Sequence, residues 1–273
     1  MVYVSNINDY LSKYFDEYNP IRVEDLELIS SIGLDYLLWD ELTTYIYNNI
    51  DKDVELYALL SDLHLNGKGV ELDKAKSLEL LDEGVRQGSL YCITKKANKE
   101  IDRALLDFDY DEAIRLIKLA SKQNFLPALN VEAWMYIKGA GYDRDYNKGL
   151  ELYKKLNDAG YLPGCYNYGR SILEDDFEEA VKCLEYSGDN GYDKSFALLG
   201  LVHYQNCEYD YAFKYFNKAT LSNNATAYRY IANMYQYGEF LDQDNSMAEY
   251  YYKLAIKFGD DSAKQELANL YEE

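Results

Sequence analysis

Apolar residues return along this chain at steps of three and four, in stretches separated by short polar or glycine-bearing turns. Leu56, Leu59, Leu60 and Leu63 make one stripe, and Leu78, Leu80, Leu81 and Val85 make the next. The spacing predicts a helix over residues 54–65, a turn over 66–70, and a second helix from near Asp73 to a stop at Gly88. A small residue then recurs at one helical slot: Ser61, Ala97, Ala133, Gly169, Gly200, Ala232 and Ala268, at steps of 36, 36, 36, 31, 32 and 36. A second series, Ser77, Ala113, Gly149, Ala180, Ala212 and Ala248, runs beside it. Two small-residue registers locked to one period predict that two helices touch closely at the same place in every unit. Between them lie bulky pairs for the core, such as Leu116 and Ile117, Leu152 and Tyr153, Tyr215 and Phe216, and Tyr251 and Tyr252.

The ends of the second helix repeat as well. It starts at Asp73, Asp109, Asp145, Asp176, Glu208 and Asp244. There Asp accepts hydrogen bonds from the first free amides and complements the positive end of the helix, and Glu208 is the weaker cap. The stops are Gly88, Asn124, Gly160, Gly191, Asn223 and Gly259, the two residue types that tolerate a left-handed closing residue. No stretch alternates as a strand would. The expected fold is therefore all-α, a solenoid of stacked antiparallel helical hairpins. It has six full hairpins plus a C-terminal lone helix over residues 53–273. Residues 1–52 do not fit the period. Ile7, Leu11, Tyr14, Phe15 and Tyr18 form one stripe there, and Leu37, Leu38, Leu42, Tyr45 and Ile46 another. This predicts a helical N-terminal cap over the first repeat, with a separate partner-binding module as the alternative.

The slots Ser61, His64, Gly67, Gly69, Val70, Asp73, Lys76, Ser77 and Gly88 spell a pattern that resembles the Sel-one-like repeat, a relative of the tetratricopeptide repeat. It returns as Ala133, Tyr136, Gly139, Gly141, Asp145, Lys148, Gly149 and Gly160. A weaker copy is Ala232, Tyr235, Gly238, Asp244, Ala248 and Gly259, with Phe240 in place of the second loop glycine. The units around residues 169–180 and 200–212 have shortened loops, and the one over 90–124 lacks the glycine loop. The resemblance implies a right-handed α/α superhelix whose first helices line a concave groove. It also implies a protein-binding role.

Charge narrows the partners. There are 48 acidic and 28 basic residues, a formal net charge of −20. A field of that sign repels phosphate backbones and anionic membrane surfaces, and no basic run interrupts it. Direct nucleic-acid binding is not expected, nor is membrane insertion, since no stretch approaches a span and the first residues lack a signal peptide's apolar core. Cys92, Cys165, Cys183 and Cys207 occupy different slots, so no recurring bridge can be drawn between them, and the expected setting is reducing and cytoplasmic.

Residues suited to reactive chemistry are few. His64 and His203 share a slot that holds Tyr136, Tyr235 and Tyr271 elsewhere, which marks a packing position. Residues 107–111 begin like a calcium loop but place Glu112 and Lys118 where Gly and Glu are required, and residues 143–147 fail in the same way. Gly67–Lys68–Gly69 lacks the Lys-Ser or Lys-Thr of a phosphate loop. Neither an enzyme nor a cofactor is expected.

By similarity to tetratricopeptide arrays, the groove is lined by first-helix residues one and four places after the small slot. These are Asp62, Asn98, Trp134, Ile137, Arg170, Leu201, Tyr204, Asn233 and Gln236, joined by Tyr166 and Arg229 three places before it. Trp134, Tyr166, Arg170, Tyr204, Arg229 and Asn233 are the candidate partner-binding residues, because aromatic rings and guanidinium forks are enriched at binding hot spots. Packing between units is the alternative for Trp134 and Tyr204. The expected function is a non-catalytic scaffold or adaptor holding a peptide or protein. The alternative is an acidic inhibitor that mimics nucleic acid and blocks a basic cleft on another protein.

Overall fold

A computed structural model describes residues 36–107 and 109–271. By its contacts the chain forms two compact units, residues 1–149 and 150–273. The described residues are helical throughout, with no strand among them. The first unit holds α1 (Tyr36–Asn49), α2 (Leu56–Asn66), α3 (Lys74–Arg86), α4 (Leu90–Asp107), α5 (Asp111–Ser121) and α6 (Leu126–Lys138), and α7 (Tyr146–Asp158) begins at its end. The second unit holds α8 (Leu162–Ser171), α9 (Phe177–Asp189), α10 (Lys194–Gln205), α11 (Tyr209–Thr220), α12 (Ala225–Tyr237), α13 (Asn245–Lys257) and α14 (Ser262–Asn269).

The two small-residue series meet within the hairpins. Ser61 of α2 donates its hydroxyl to the Ser77 carbonyl of α3 at 2.8 Å. A β-carbon placed on Gly149 would lie 2.7 Å from the Ala133 carbonyl, and one on Gly169 would lie 3.0 Å from the Ala180 carbonyl. Larger residues in these slots would push the helices apart. Ala268 differs from its series in being exposed.

Burial follows the apolar stripes except at Leu78, which lies on the solvent side of α3 and is exposed. In the first unit Leu42 and Ile46 of α1 pack with Leu56, Leu59 and Leu60 of α2 and Leu81 of α3. A second cluster joins Ile93 and Ala97 of α4 to Leu116 and Ile117 of α5 and Met135 of α6. In the second unit Leu184, Leu199, Phe216, Ile231 and Met234 form one core, and Ala232, Ala248, Tyr252 and Ala255 another. The stripe Ile7, Leu11, Tyr14, Phe15 and Tyr18 lies outside the described residues, as do the side chains of Leu37 and Leu38.

All six predicted stops have positive φ, from +55° at Asn124 to +107° at Gly191. At Gly160 (φ +71°) the Tyr161 amide donates to the Leu156 carbonyl at 3.0 Å and the Gly160 amide to Asn157 at 2.9 Å, so the last free carbonyls of α7 are satisfied. Gly160→Val forces a β-branched side chain into that conformation and is expected to cost about 1–2 kcal/mol or more. Gly160→Asn is expected to lose much less, since Asn124 and Asn223 occupy the same slot in other units. Equal melting temperatures for the two variants would contradict this.

The capping acids behave as expected at four of six positions. Asp73, Asp145, Asp176 and Asp244 accept from amides two or three residues on, at 2.9–3.1 Å. Glu208 makes no cap hydrogen bond. Its longer side chain reaches back to His203 Nδ1 at 2.5 Å. At Asp109 the helix starts later: Tyr110 is the N-cap of α5, and Asp109 turns on the Asp111 amide at 3.2 Å. Loss of the glycine loop explains α4. Left-handed Gly67, Gly139 and Gly238 end α2, α6 and α12, whereas α4, in whose unit the sequence has no loop glycine, runs for 18 residues. Phe240 holds the loop shape without glycine, at φ +65°, with its ring 5.6 Å from that of Phe213.

One junction went unseen in the sequence. The Glu55 carboxylate accepts from the Ser89 hydroxyl (2.6 Å) and from the amides of Leu90 and Tyr91 (both 3.2 Å), so it caps α4 from the preceding hairpin. Burial pushes its carboxyl above the usual range, and these bonds oppose that shift. Glu55→Ala strands the α4 amides and is expected to destabilise by about 1–3 kcal/mol in urea unfolding.

Candidate partner-binding surface

The six candidate residues stand in different surroundings. Trp134 belongs to the first unit, where it is half-buried on α6 against the α4–α5 core. The other five belong to the second unit.

Tyr166 and Arg170 lie one turn apart on α8, and the Arg170 guanidinium sits 5.4 Å from the Tyr166 ring centroid. Tyr166 is half-buried against the core, while Arg170 is exposed and has no carboxylate within ion-pair distance among the described residues. Tyr204 of α10 is wedged edge-on between Tyr209 (5.4 Å) and Tyr230 (5.1 Å) and donates its hydroxyl to Glu239. Burial and that carboxylate raise its phenol well above the usual range. A ring so enclosed has a packing role, whatever else it does.

Arg229 and Asn233 of α12 form part of an internal polar network. Arg229 Nε donates to Asp260 at 2.7 Å and Nη1 to Glu266 at 3.1 Å, with the guanidinium 4.6 Å from the Tyr230 ring. In the orientation its neighbours require, the Asn233 amide donates to the Tyr252 hydroxyl (2.6 Å) and to Glu266 (2.9 Å). Tyr252 in turn donates to Gln236 Oε1 at 2.6 Å. The network fastens α14 to α12 and α13. Of the other groove candidates, Asp62 pairs with Lys95, Gln236 is buried in this network, Ile137 and Leu201 are half-buried, and Asn98 is exposed.

Two residues next to Tyr166 were not singled out from the sequence. Tyr192, in the turn before α10, places its ring 5.3 Å from that of Tyr166, and the Lys194 ammonium lies 5.7 Å from the Tyr192 ring. The signal was available, since Tyr192 directly follows the helix stop Gly191, but slot counting along first helices passes over turns.

Of the two histidines, His203 is packed as the shared slot suggests, whereas His64 is only half-buried. His203 stacks between Tyr211 and Tyr215 at 5.2 and 5.4 Å, with Phe177 at its edge. His64 Nδ1 lies 3.1 Å from the Glu71 carbonyl. Among the described residues no three His, Cys, Asp or Glu side chains converge as a metal site would need. No helix there is long and apolar enough to cross a membrane.

The Sel1 repeat family model matches residues 54–89, 108–125, 133–161, 164–192, 203–224 and 225–260. The chain belongs to the Sel1 repeat family. Its helices, packed in consecutive pairs, are those of an all-α solenoid of that family. The structure is similar to that of a protective antigen with an SLR fold from uropathogenic Escherichia coli. That match has a TM-score of 0.58 at 20% identity, over 87% of this chain and 52% of that one. This Sel1 repeat chain therefore spans about half the length of that relative. It is also similar to a Sel1 repeat protein from Oxalobacter formigenes, with a TM-score of 0.56 at 20% identity over 96% of this chain and 85% of that one. No curated protein matches the sequence.

Proposed function

We propose that this chain is a non-catalytic interaction scaffold that works in the cytoplasm and holds a peptide or protein segment on the first-helix faces of its repeats. The observation that carries this reading is the Tyr166–Arg170 pair. A half-buried ring is fixed in the core beneath an exposed guanidinium that no carboxylate among the described residues engages. Rigid aromatic anchors beside arginine are the side chains that dominate binding energies at interfaces. Membership of the Sel1 repeat family, whose arrays typically mediate protein interactions, supports the same reading.

The non-catalytic part rests on the thiols and histidines. Burial pushes Cys92 up to about 12, and Cys165 and Cys183 up to about 11, so these thiols are far from the thiolate form a nucleophile needs. His203 is enclosed by rings. Residues 1–52 enter the proposal as a cap over the first hairpin, supported by the burial of Leu42 and Ile46 against α2.

Affinity purification with the full chain, repeated with Arg170→Ala, tests the proposal. A partner recovered by the parent chain should be recovered poorly by the variant, with a loss of about 1 kcal/mol or more in a direct titration. Equal recovery by a folded Arg170→Ala variant would contradict the placement of the partner on this surface.

A further inference from the structure

We infer that the partner segment is acidic, and that it docks on a row formed by Arg170, Tyr166, Tyr192 and Lys194 in the second unit. The inference rests on the scaffold reading and names the chemistry of what is held.

Each cation covers a tyrosine ring, Arg170 over Tyr166 at 5.4 Å and Lys194 over Tyr192 at 5.7 Å, and the two rings meet at 5.3 Å with a 55° tilt. The four side chains thus form one continuous surface, with a positive charge at either end and aromatic edges between. α8 supplies Tyr166 and Arg170, and the Gly191 stop turns the chain so that Tyr192 and Lys194 arrive beside them.

The charges are unspent. Lys182, Lys218 and Arg229 in the same unit are tied to Glu178, Asp189 and Asp260. Arg170 and Lys194 are exposed, with no carboxylate within ion-pair distance among the described residues. Asp193, beside Lys194, accepts from the Asn224 amide at 3.0 Å and keeps its charge, and the first acid after Arg170 in sequence is Glu174. In a chain of net charge −20, these are two cations that no carboxylate within ion-pair distance holds among the described residues. Arg170 offers a planar fork that suits a carboxylate, Lys194 offers a point charge, and the tyrosine edges between them suit an apolar or planar side chain.

The overall charge also selects the form of the anion. A nucleic acid brings a phosphate at every step and meets the repulsion of the whole chain. A segment with two or three carboxylates feels chiefly the charges within a screening length of about 8 Å at physiological salt. An acidic peptide satisfies the row, whereas a long polyanion does not.

Selection of a displayed random-peptide library on the full chain tests this. Acid-rich peptides should be enriched. A synthetic copy of an enriched peptide should bind Arg170→Gln/Lys194→Gln roughly tenfold or more weakly, and should bind the parent more weakly as salt rises. Both positions are exposed, so the double variant should keep the parent's melting curve. Enrichment of neutral or basic peptides whose binding is lost on Tyr166→Ala would overturn the acidic assignment and leave the scaffold reading standing. Undiminished binding of acidic peptides by the double variant would overturn the docking row. The absence of any enriched peptide would count against both.

Discussion

Gly200→Leu is expected to lower the stability of the second unit by about 1–3 kcal/mol or more in urea unfolding, through overpacking where α10 meets α11. Even a bare β-carbon on Gly200 would lie 2.5 Å from the Phe216 ring. That ring has no room to move aside. Phe216 is fully buried, stacked on Tyr230 at 5.3 Å and flanked by Tyr204 at 6.4 Å. Gln205→Leu, at an exposed position of the same helix, should change stability by no more than about 0.5 kcal/mol. A neutral Gly200→Leu would contradict the contact on which the two small-residue series were read.

Arg229→Ala should cost about 2–4 kcal/mol, somewhat below the fully buried range because Glu266 still reaches water. The change strands Asp260 and Glu266 and removes a cation that also covers Tyr230. The deficit should depend on pH with a definite sign. Burial raises the Glu266 carboxyl, and the Arg229 charge beside it pulls the other way. A carboxyl whose folded pKa lies above its unfolded value favours folding at low pH and loses that contribution as pH rises. The variant lacks the opposing cation, so its deficit against the parent should be largest near neutral pH and narrow as pH falls through the carboxylate range. Unfolding curves at neutral and mildly acidic pH measure this, and a deficit that widens in acid would contradict it.

Much of the fold was legible because a repeat writes the same physical demand several times. The left-handed stops were found at every predicted position because only Gly and Asn meet that demand cheaply, and the slot recurs. Capping was less secure where one residue had two uses. Glu208 is spent on His203, and Asp109 lies one residue ahead of the N-cap.

Slot counting read the candidate surface in part. A slot gives the direction a side chain faces, but not what the next repeat places opposite it. Arg229 is consumed because Asp260 and Glu266 stand 31 and 37 residues further on. Arg170 stands in a different slot, one place after Gly169 rather than three before, so the spacing that pairs Arg229 does not carry over to it and its surroundings needed the fold. The contact between Tyr166 and Tyr192 needed the fold, because Tyr192 lies in a turn that the first-helix pattern does not address.

The most direct test of the central claim is the affinity of a purified partner for three forms of the full chain at low and high salt. The forms are the parent, Arg170→Ala, and Glu178→Lys/Glu179→Lys on the first turn of α9. Asp176 is left unchanged because it caps that helix. The account predicts that Arg170→Ala weakens binding by about 1 kcal/mol or more while the double charge reversal has little effect. Binding that survives Arg170→Ala, collapses on reversal of Glu178 and Glu179, and falls steeply with salt would contradict the scaffold reading and mark the acidic surface as the one that meets the partner.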